Sequence, residues 1–363
     1  MYKKIFMGIA AAAALTLVSC SSDDLNSVSD NSSKNEAISF DGYLGRSAVS
    51  VNGSRGSVET KDQLKTDGFG VFGNYNSTGG QNFGSNLFDN VKVYSSSTAA
   101  PVKWTYDNAK YWPTQGHIDF LAYAPYDKNT TLNTTLGGKM TSCINFTVEN
   151  TVTEQKDLLW ANAEDQTKAK NSGTNKVELT FKHALAKIGY TVKLKQTYSN
   201  ATITLNKITL AGSADEKTNA FYTAGTIDLS KPSSTDLWTP SSTAAKQNFK
   251  WFSGTQDLGT TDYSNPATDY LFVIPQDFSK STAEGGTKAD KLFVIVEYTI
   301  KYTNHINSEM AEMTSTVSSL IEKNFEQGKA YTINLTIGLT PIEFNVTTVE
   351  DWTDGGKDDI TWE

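Results

Sequence analysis

An all-β fold, built as two tandem β-sandwiches with few short helices, is the architecture this sequence predicts. Three observations carry that prediction. The apolar runs are dominated by β-branched and aromatic residues, and many alternate at period two, as half-buried strands do. Leu-rich helical patterning is nearly absent, while Ser, Thr, Asn and Gly fill the spaces between the runs. The strands recur at short, regular spacing with turn residues between them, and 363 residues suit two domains better than one. The chain is 38% hydrophobic and 11% aromatic, enough for real cores.

The N-terminus reads MYKKIFMGIAAAAALTLVSCSSDD. Lys3 and Lys4 precede an apolar stretch, Ile5 to Val18, that is too short and too lightly flanked for a stable membrane span. Residues 1–19 are therefore expected to be a secretory signal. Leu17-Val18-Ser19-Cys20 resembles a lipobox, which makes Cys20 the expected site of lipidation and a membrane anchor. Residues 20–35 form a polar tether unable to bury a core. Within it, Ser22, Asp23 and Asp24 resemble the acidic surface-export signal of Bacteroidia lipoproteins, so the outer face of the outer membrane is the expected location.

EAISF, residues 36–40, opens the folded part with Ile38 and Phe40 on one face. A Gly-rich loop follows. DGFGVFGNY and FDNVKVY then read as short strands. In WTYDNAKYWPTQGHIDFLAYAPY, residues 104–126, Pro113 and Gly116 separate two strands. Ile118, Phe120 and Ala122 share one face of the second; His117, Asp119, Leu121 and Tyr123 share the other. INFTV, DLLWANA and KVELTF complete a first sandwich over 47–184. HALAK reads as a bridge, with the boundary near residues 182–188. IGYTVKL, ATITLNKITLAG, GTIDLS, TDYLFVIPQ, KLFVIVEYTIKY and GKAYTINLTIGL form the second sandwich, 185–340, with TVSSLIEKNF as a short helix or turn. Residues 341–363 are a C-terminal extension containing the alternating run PIEFNVTTVEDW and a polar Gly-containing tail.

Little in the chain points to catalysis. The formal charge is −8 with no basic cluster, which argues against nucleic-acid binding. The three histidines are far apart and none has metal-ligand spacing, although His117 and Asp119 share a strand face. No GxSxG, Walker or GxGxxG pattern occurs, and no glycosidase carboxylate pair has a local signature. The tail acids Asp351, Asp354, Asp358 and Asp359 miss the EF-hand spacing. Once Cys20 carries lipid, Cys143 is a lone thiol in a strand-like run, read as a small buried hydrophobe. No enzyme activity, metal or cofactor is expected. Trp104, Tyr106, Tyr111 and Trp112 are read chiefly as packing residues, with sugar stacking as the other option.

One compositional feature stands apart. Arg46 and Arg55 are the only arginines of the chain, against 30 lysines, and both lie in the loop after EAISF. A Gly/Ser/Val stretch over 42–57 is a suitable substrate for a protease of arginine specificity, which would then find no site in the remaining chain.

The order of the blocks is similar to that of a known family. A lipobox, a short strand and an arginine are followed by WTYDNAKYWPTQGHIDFLAYAP, DLLWANA, VELTFKHALAKI, FEQGKAYTINLTI and FNVTTVEDWTDG. From Glu36 to Glu363 the chain resembles the fimbrillin-like pilins of Bacteroidia, the subunits of type V pili. The resemblance implies tandem sandwiches of transthyretin-like, Greek-key type. It also implies export as a lipoprotein and cleavage by an Arg-specific protease after Arg46, or alternatively Arg55. Residues 36–46 would leave with the lipid, vacating the groove of Ile38 and Phe40. A donor strand from another subunit would refill it, either Ile342, Phe344 and Val346 or Ile360 and Trp362. The implied partners are other pilin subunits, the protease and, before processing, the outer membrane. Two alternatives stay open: an uncut lipid-anchored anchor or accessory subunit, and a surface lipoprotein binding glycans or proteins.

Overall fold

The computed structural model describes residues 36–44, 61–95, 97, 102–172, 176–232, 237–241, 246–266, 269–279, 290–303, 309–338 and 343–349. All lie in one compact unit, Glu36–Glu363. Strands dominate them, as the alternating patterns require. In the first half these are β1 (Ser39–Leu44), β2 (Phe69–Asn76), β3 (Phe88–Ser95), β4 (Trp104–Thr105), β5 (His117–Ala124), β6 (Leu132–Thr134), β7 (Met140–Thr147), β8 (Leu159–Gln166) and β9 (Lys176–His183). The second half begins with β10 (Ala186–Leu194), β11 (Ala201–Ala211), β12 (Phe221–Tyr222), β13 (Ala224–Asp228), β14 (Trp238–Pro240), β15 (Lys246–Gln247), β16 (Phe249–Asp257) and β17 (Tyr263–Ser264). It continues with β18 (Leu271–Val273), β19 (Gln276–Asp277), β20 (Leu292–Thr303), β21 (Met310–Ile321), β22 (Asn324–Phe325), β23 (Ala330–Ile337) and β24 (Glu343–Val349). One α-helix, α1 (Lys61–Asp67), precedes β2. Buried Leu64 anchors it. Gly68, at φ +73°, ends it by donating its N–H to the Leu64 carbonyl at 2.9 Å, a turn that a Cβ would strain.

The first half builds a seven-stranded sheet, β1-β9-β8-β5-β2-β3-β4. The second half builds β16-β11-β20-β21 and a sheet ordered β17-β10-β23-β24, in which β18 also pairs with β10. A further sheet, β14-β13-β7-β6, joins strands from both halves. Two pairs are parallel, β1 with β9 and β10 with β23. Each half thus sets its first strand parallel to a late strand of the same half. That pairing requires the chain to run through the whole half before it closes.

Two apolar clusters follow from the period-two patterns. The first gathers Ile38, Phe40, Phe69, Phe88, Ile118, Phe120, Val177, Leu179 and Phe181. The second gathers most of the second half, together with residues of the first that include Phe72, Leu121, Tyr123, Ile144, Leu158 and Trp160. β5 therefore packs on both faces. Ile118, Phe120 and Ala122 fill the first cluster while Leu121 and Tyr123 reach the second, which is the face assignment the alternation implies. Every residue of β5 is buried. Between β9 and β10 the link Ala184-Leu185 is itself buried.

TVSSLIEKNF is not helical. Its first part belongs to β21 and its end to β22. The reason is local: MTSTV, residues 313–317, which overlaps its start, is rich in β-branched residues, and 12 consecutive residues pair with β20 without a register shift.

Candidate functional site: the seam filled by the first strand

β1 lies at one end of the seven-stranded sheet, with two walls. Along one side it pairs with β9, placing Phe40 beside Val177 and Gly42 beside Leu179. Along the other runs the segment between β4 and β5. The Ile38 N–H donates to the Lys110 carbonyl at 2.8 Å, and the Trp112 N–H donates to the Glu36 carbonyl at 3.1 Å. Ala37 bridges Tyr111. The Tyr106 hydroxyl donates to the Ile38 carbonyl at 2.7 Å and accepts from the Lys110 N–H at 3.2 Å. Burial holds this phenol above its ordinary pKa, so it stays a donor.

From Ile38 into β1 the inward side chains run large, large, none. Ile38 and Phe40 are 1% and 2% exposed. The Phe40 ring meets Phe120, Phe88 and Tyr106 edge-on, with centroids at 5.4, 5.5 and 5.7 Å. Gly42 is glycine for space: a Cβ there would lie 2.9 Å from the Phe69 ring and 3.5 Å from Phe181. Charges contribute little. Lys176–Asp41 at 3.7 Å and Lys168–Glu36 at 3.5 Å are half-exposed pairs at the rim. Two apolar knobs, worth about 1.5–3 kcal/mol each when fully buried, and one backbone ladder therefore hold β1. Such a strand is strongly seated, yet among the described residues β9 is its only ladder partner within the sheet. The chain leaves it through residues 45–60, which carry Arg46 and Arg55.

Cys20, Arg46, Arg55, Ile342, Ile360 and Trp362 lie outside the described residues, as do the tail acids Asp351 to Asp359. Phe344 and Val346 belong to β24, which pairs antiparallel with β23 and sets Phe344 opposite Leu335 and Val346 opposite Ile333. In this form the run therefore completes the subunit's own sheet. Trp104 packs edge-on to Phe69 at 5.1 Å, Tyr106 packs on Phe40, and Trp112 is buried; Tyr111 is the exposed one at 52%. Cys143 is half-buried on β7, its thiol pKa raised by burial and then by Asp228.

His117 and Asp119 do meet, with Nε2 and Oδ2 3.5 Å apart. The Asp119 carboxylate is fully occupied in tying loops together. It accepts from Asn76 Nδ2 at 2.8 Å, the Asn82 N–H at 3.3 Å and the Asp165 N–H at 2.7 Å. Nearby Glu164 has its pKa raised by burial and by Asp119. Among the described residues no group of three or more His, Cys, Asp or Glu side chains is placed to hold a metal. What sequence reasoning missed is the second wall. Lys110 and Trp112 present backbone groups to β1, and backbone hydrogen bonding leaves no mark on residue identity. Gly42, read from the sequence as part of the Gly-rich loop after EAISF, lies instead inside β1, which runs on to Leu44; its glycine identity had signalled a turn, whereas here it serves close packing.

The profile of the Fimbrillin-like family matches residues 57–352. Among solved structures, a fimbrial protein from Bacteroides vulgatus is 23% identical with a TM-score of 0.60; the match covers 88% of this chain and 100% of that one. A fimbrial assembly protein from Parabacteroides distasonis is 12% identical with a TM-score of 0.37, over 82% of this chain and 94% of that one. No curated protein matches the chain. Since the profile spans most of the sequence and the Bacteroides vulgatus protein shares the fold, this chain belongs to the fimbrillin-like family.

Proposed function

We infer that the protein is a structural pilin, a stalk subunit of a cell-surface fimbria that polymerises by donor-strand exchange. In this reading it is exported as a lipoprotein on Cys20, then cut after Arg46 or, alternatively, Arg55. The single observation that carries the reading is the seat of β1. Ile38 and Phe40 are buried in a slot bounded by β9 and residues 106–112, on an end strand continuous with the segment that holds the chain's only arginines. Once β1 leaves, Val177, Leu179 and Phe181 lose their cover and the β9 ladder is open, the condition that favours strand addition. A strand given to the next copy makes a head-to-tail contact, and that contact propagates.

Two donors are available. Ile342-Glu-Phe344-Asn-Val346 repeats the spacing of Ile38-Ser-Phe40-Asp-Gly42, but it must leave β23 to be given away. Ile360 and Trp362 lie beyond β24, so they can be lent while β24 stays paired as a root. The pairing of β24 favours the second. It equally favours a second reading, an uncut anchor or accessory subunit whose sheet is already complete.

The test is proteolysis of the full chain with a protease of arginine specificity, followed by N-terminal sequencing and a gel. A new terminus at Ser47 or Gly56 with SDS-resistant ladders is the stalk result. An intact monomer, or cleavage without ladders, rejects that role.

A further inference from the structure

We propose that β21 is a second assembly surface, on which two copies of this chain pair edge to edge through the same strand. This goes beyond the head-to-tail reading above, because it joins subunits side by side and needs no cleavage.

The edge is unusual in three respects. At 12 residues β21 is the longest described edge strand, and among the described residues it pairs with β20 on one side only. All 12 residues keep register with β20, so no bulge twists the free edge away. Its sequence, MAEMTSTVSSLI, contains one carboxylate and no Lys, Arg or Pro, the residues that usually guard an edge. By contrast the opposite edge of the same sheet, β16, carries two register irregularities against β11.

The free edge also leaves a core strip half-covered. Ala311, Met313, Ser315, Val317, Ser319 and Ile321 face the core side, because their partners on β20 include buried Ile300, Tyr298, Val296, Val294 and Leu292. Burial is complete at Ile321 but fades along the strand, and Met313 is 53% exposed. An added strand with apolar residues on that face would finish the cover.

The strand is its own complement. A twofold axis through Ser315, normal to the sheet, runs two copies antiparallel with faces preserved. Met313 then lies opposite Val317 of the second copy, and Val317 opposite its Met313, on the core side. On the other face Thr314 meets Thr316, Met310 meets Leu320, and Glu312 meets Ser318. Met pairs with Val or Leu, small Ala311 with small Ser319, Thr with Thr, and the one carboxylate never faces another. Two four-stranded sheets become one continuous sheet, and the contact closes on itself as an isologous interface should. Combined with a head-to-tail contact, it would tie fibres together in pairs.

The experiment uses the full chain carrying Arg46→Lys and Arg55→Lys, so that arginine cleavage cannot contribute and its failure cannot be mistaken for failure of this contact. Ser315→Cys on the axis is oxidised mildly, and the linked peptide is identified by mass spectrometry, which separates it from Cys20 and Cys143. Opposed residues of an antiparallel pair lie within disulfide reach. A 315–315 bridge is expected; Met310→Cys, opposed to Leu320, should not link to itself. Thr314→Lys with Thr316→Lys, both at exposed positions, should weaken linkage by roughly tenfold through two like-charge pairs, whereas Thr314→Lys with Thr316→Glu should keep it. Absence of the 315–315 bridge, its capture of a different peptide, or equal linkage in the two charge variants overturns the proposal.

Discussion

Replacing Phe40 by Ala examines whether β1 is a separable element or an ordinary part of the core. Phe40 is 2% exposed and touches three aromatic rings within 5.4–5.7 Å. Truncation removes its transfer free energy and leaves a cavity framed by Phe88, Phe120 and Tyr106, a loss of about 3–5 kcal/mol for a buried Phe. If β1 docks as a unit, that loss falls on its opening equilibrium. Amide protons in β1, and those of β9 that face it, should then exchange about a hundred- to several-thousand-fold faster. The amides joining β10 to β23, and β11 to β20, should keep their protection, because their contacts lie in the second cluster. Hydrogen exchange read by NMR or mass spectrometry resolves the two groups. Uniform acceleration across all strands would mean that β1 unfolds only with the whole molecule. No acceleration in β1 would mean that Phe40 does not seat it. Either result refutes the reasoning.

Three further outcomes follow from the same geometry. Gly42→Val should destabilise the uncut chain by about 1–3 kcal/mol, since its Cβ meets the Phe69 ring at 2.9 Å; an unchanged thermal midpoint would show that the seam has room there. Tyr106→Phe removes the donor to the Ile38 carbonyl and should cost about 0.5–1.5 kcal/mol in urea unfolding, with faster exchange at β1; no change in either would show that the bond does not hold the strand. Asp228 supplies a pH dependence. Burial raises its carboxyl pKa, but hydrogen bonds from Ser142 and from the Ser230 side chain and N–H outweigh burial, so the net value lies below 3.8. A depressed pKa contributes stability that is present above the unfolded value and is lost as pH falls through the folded one. Asp228→Asn should therefore flatten the stability curve below about pH 3.8, and an identical acid limb in wild type and variant would remove Asp228 from it.

Much of the fold was legible because burial writes itself into alternation. Ile118, Phe120 and Ala122 separate from Leu121 and Tyr123 in the sequence just as they separate between the two clusters. The burial of Ile38 and Phe40 was legible for the same reason. Partner choice was not. Nothing in EAISF says that β1 pairs in parallel with a strand more than 130 residues away, because register depends on chain topology rather than on residue type. The strand character of TVSSLI was obscured because β21 is an edge strand, exposed on much of both faces, so its apolar periodicity is weak. For β24 the sequence left two outcomes open, since an alternating run looks the same whether it completes its own sheet or another's; here it pairs with β23 of the same chain.

In the proposed assembly, loss of β1 opens a slot which another copy fills. The most direct test is to treat the full chain, and the variant with both Arg46→Lys and Arg55→Lys, with a protease of arginine specificity and to follow multimer formation over time. Ladders that appear only in the cleavable chain, in step with release of residues 36–44, are the expected result. Ladders forming at the same rate from both chains, or a cleaved chain that sheds β1 and stays monomeric, would contradict it.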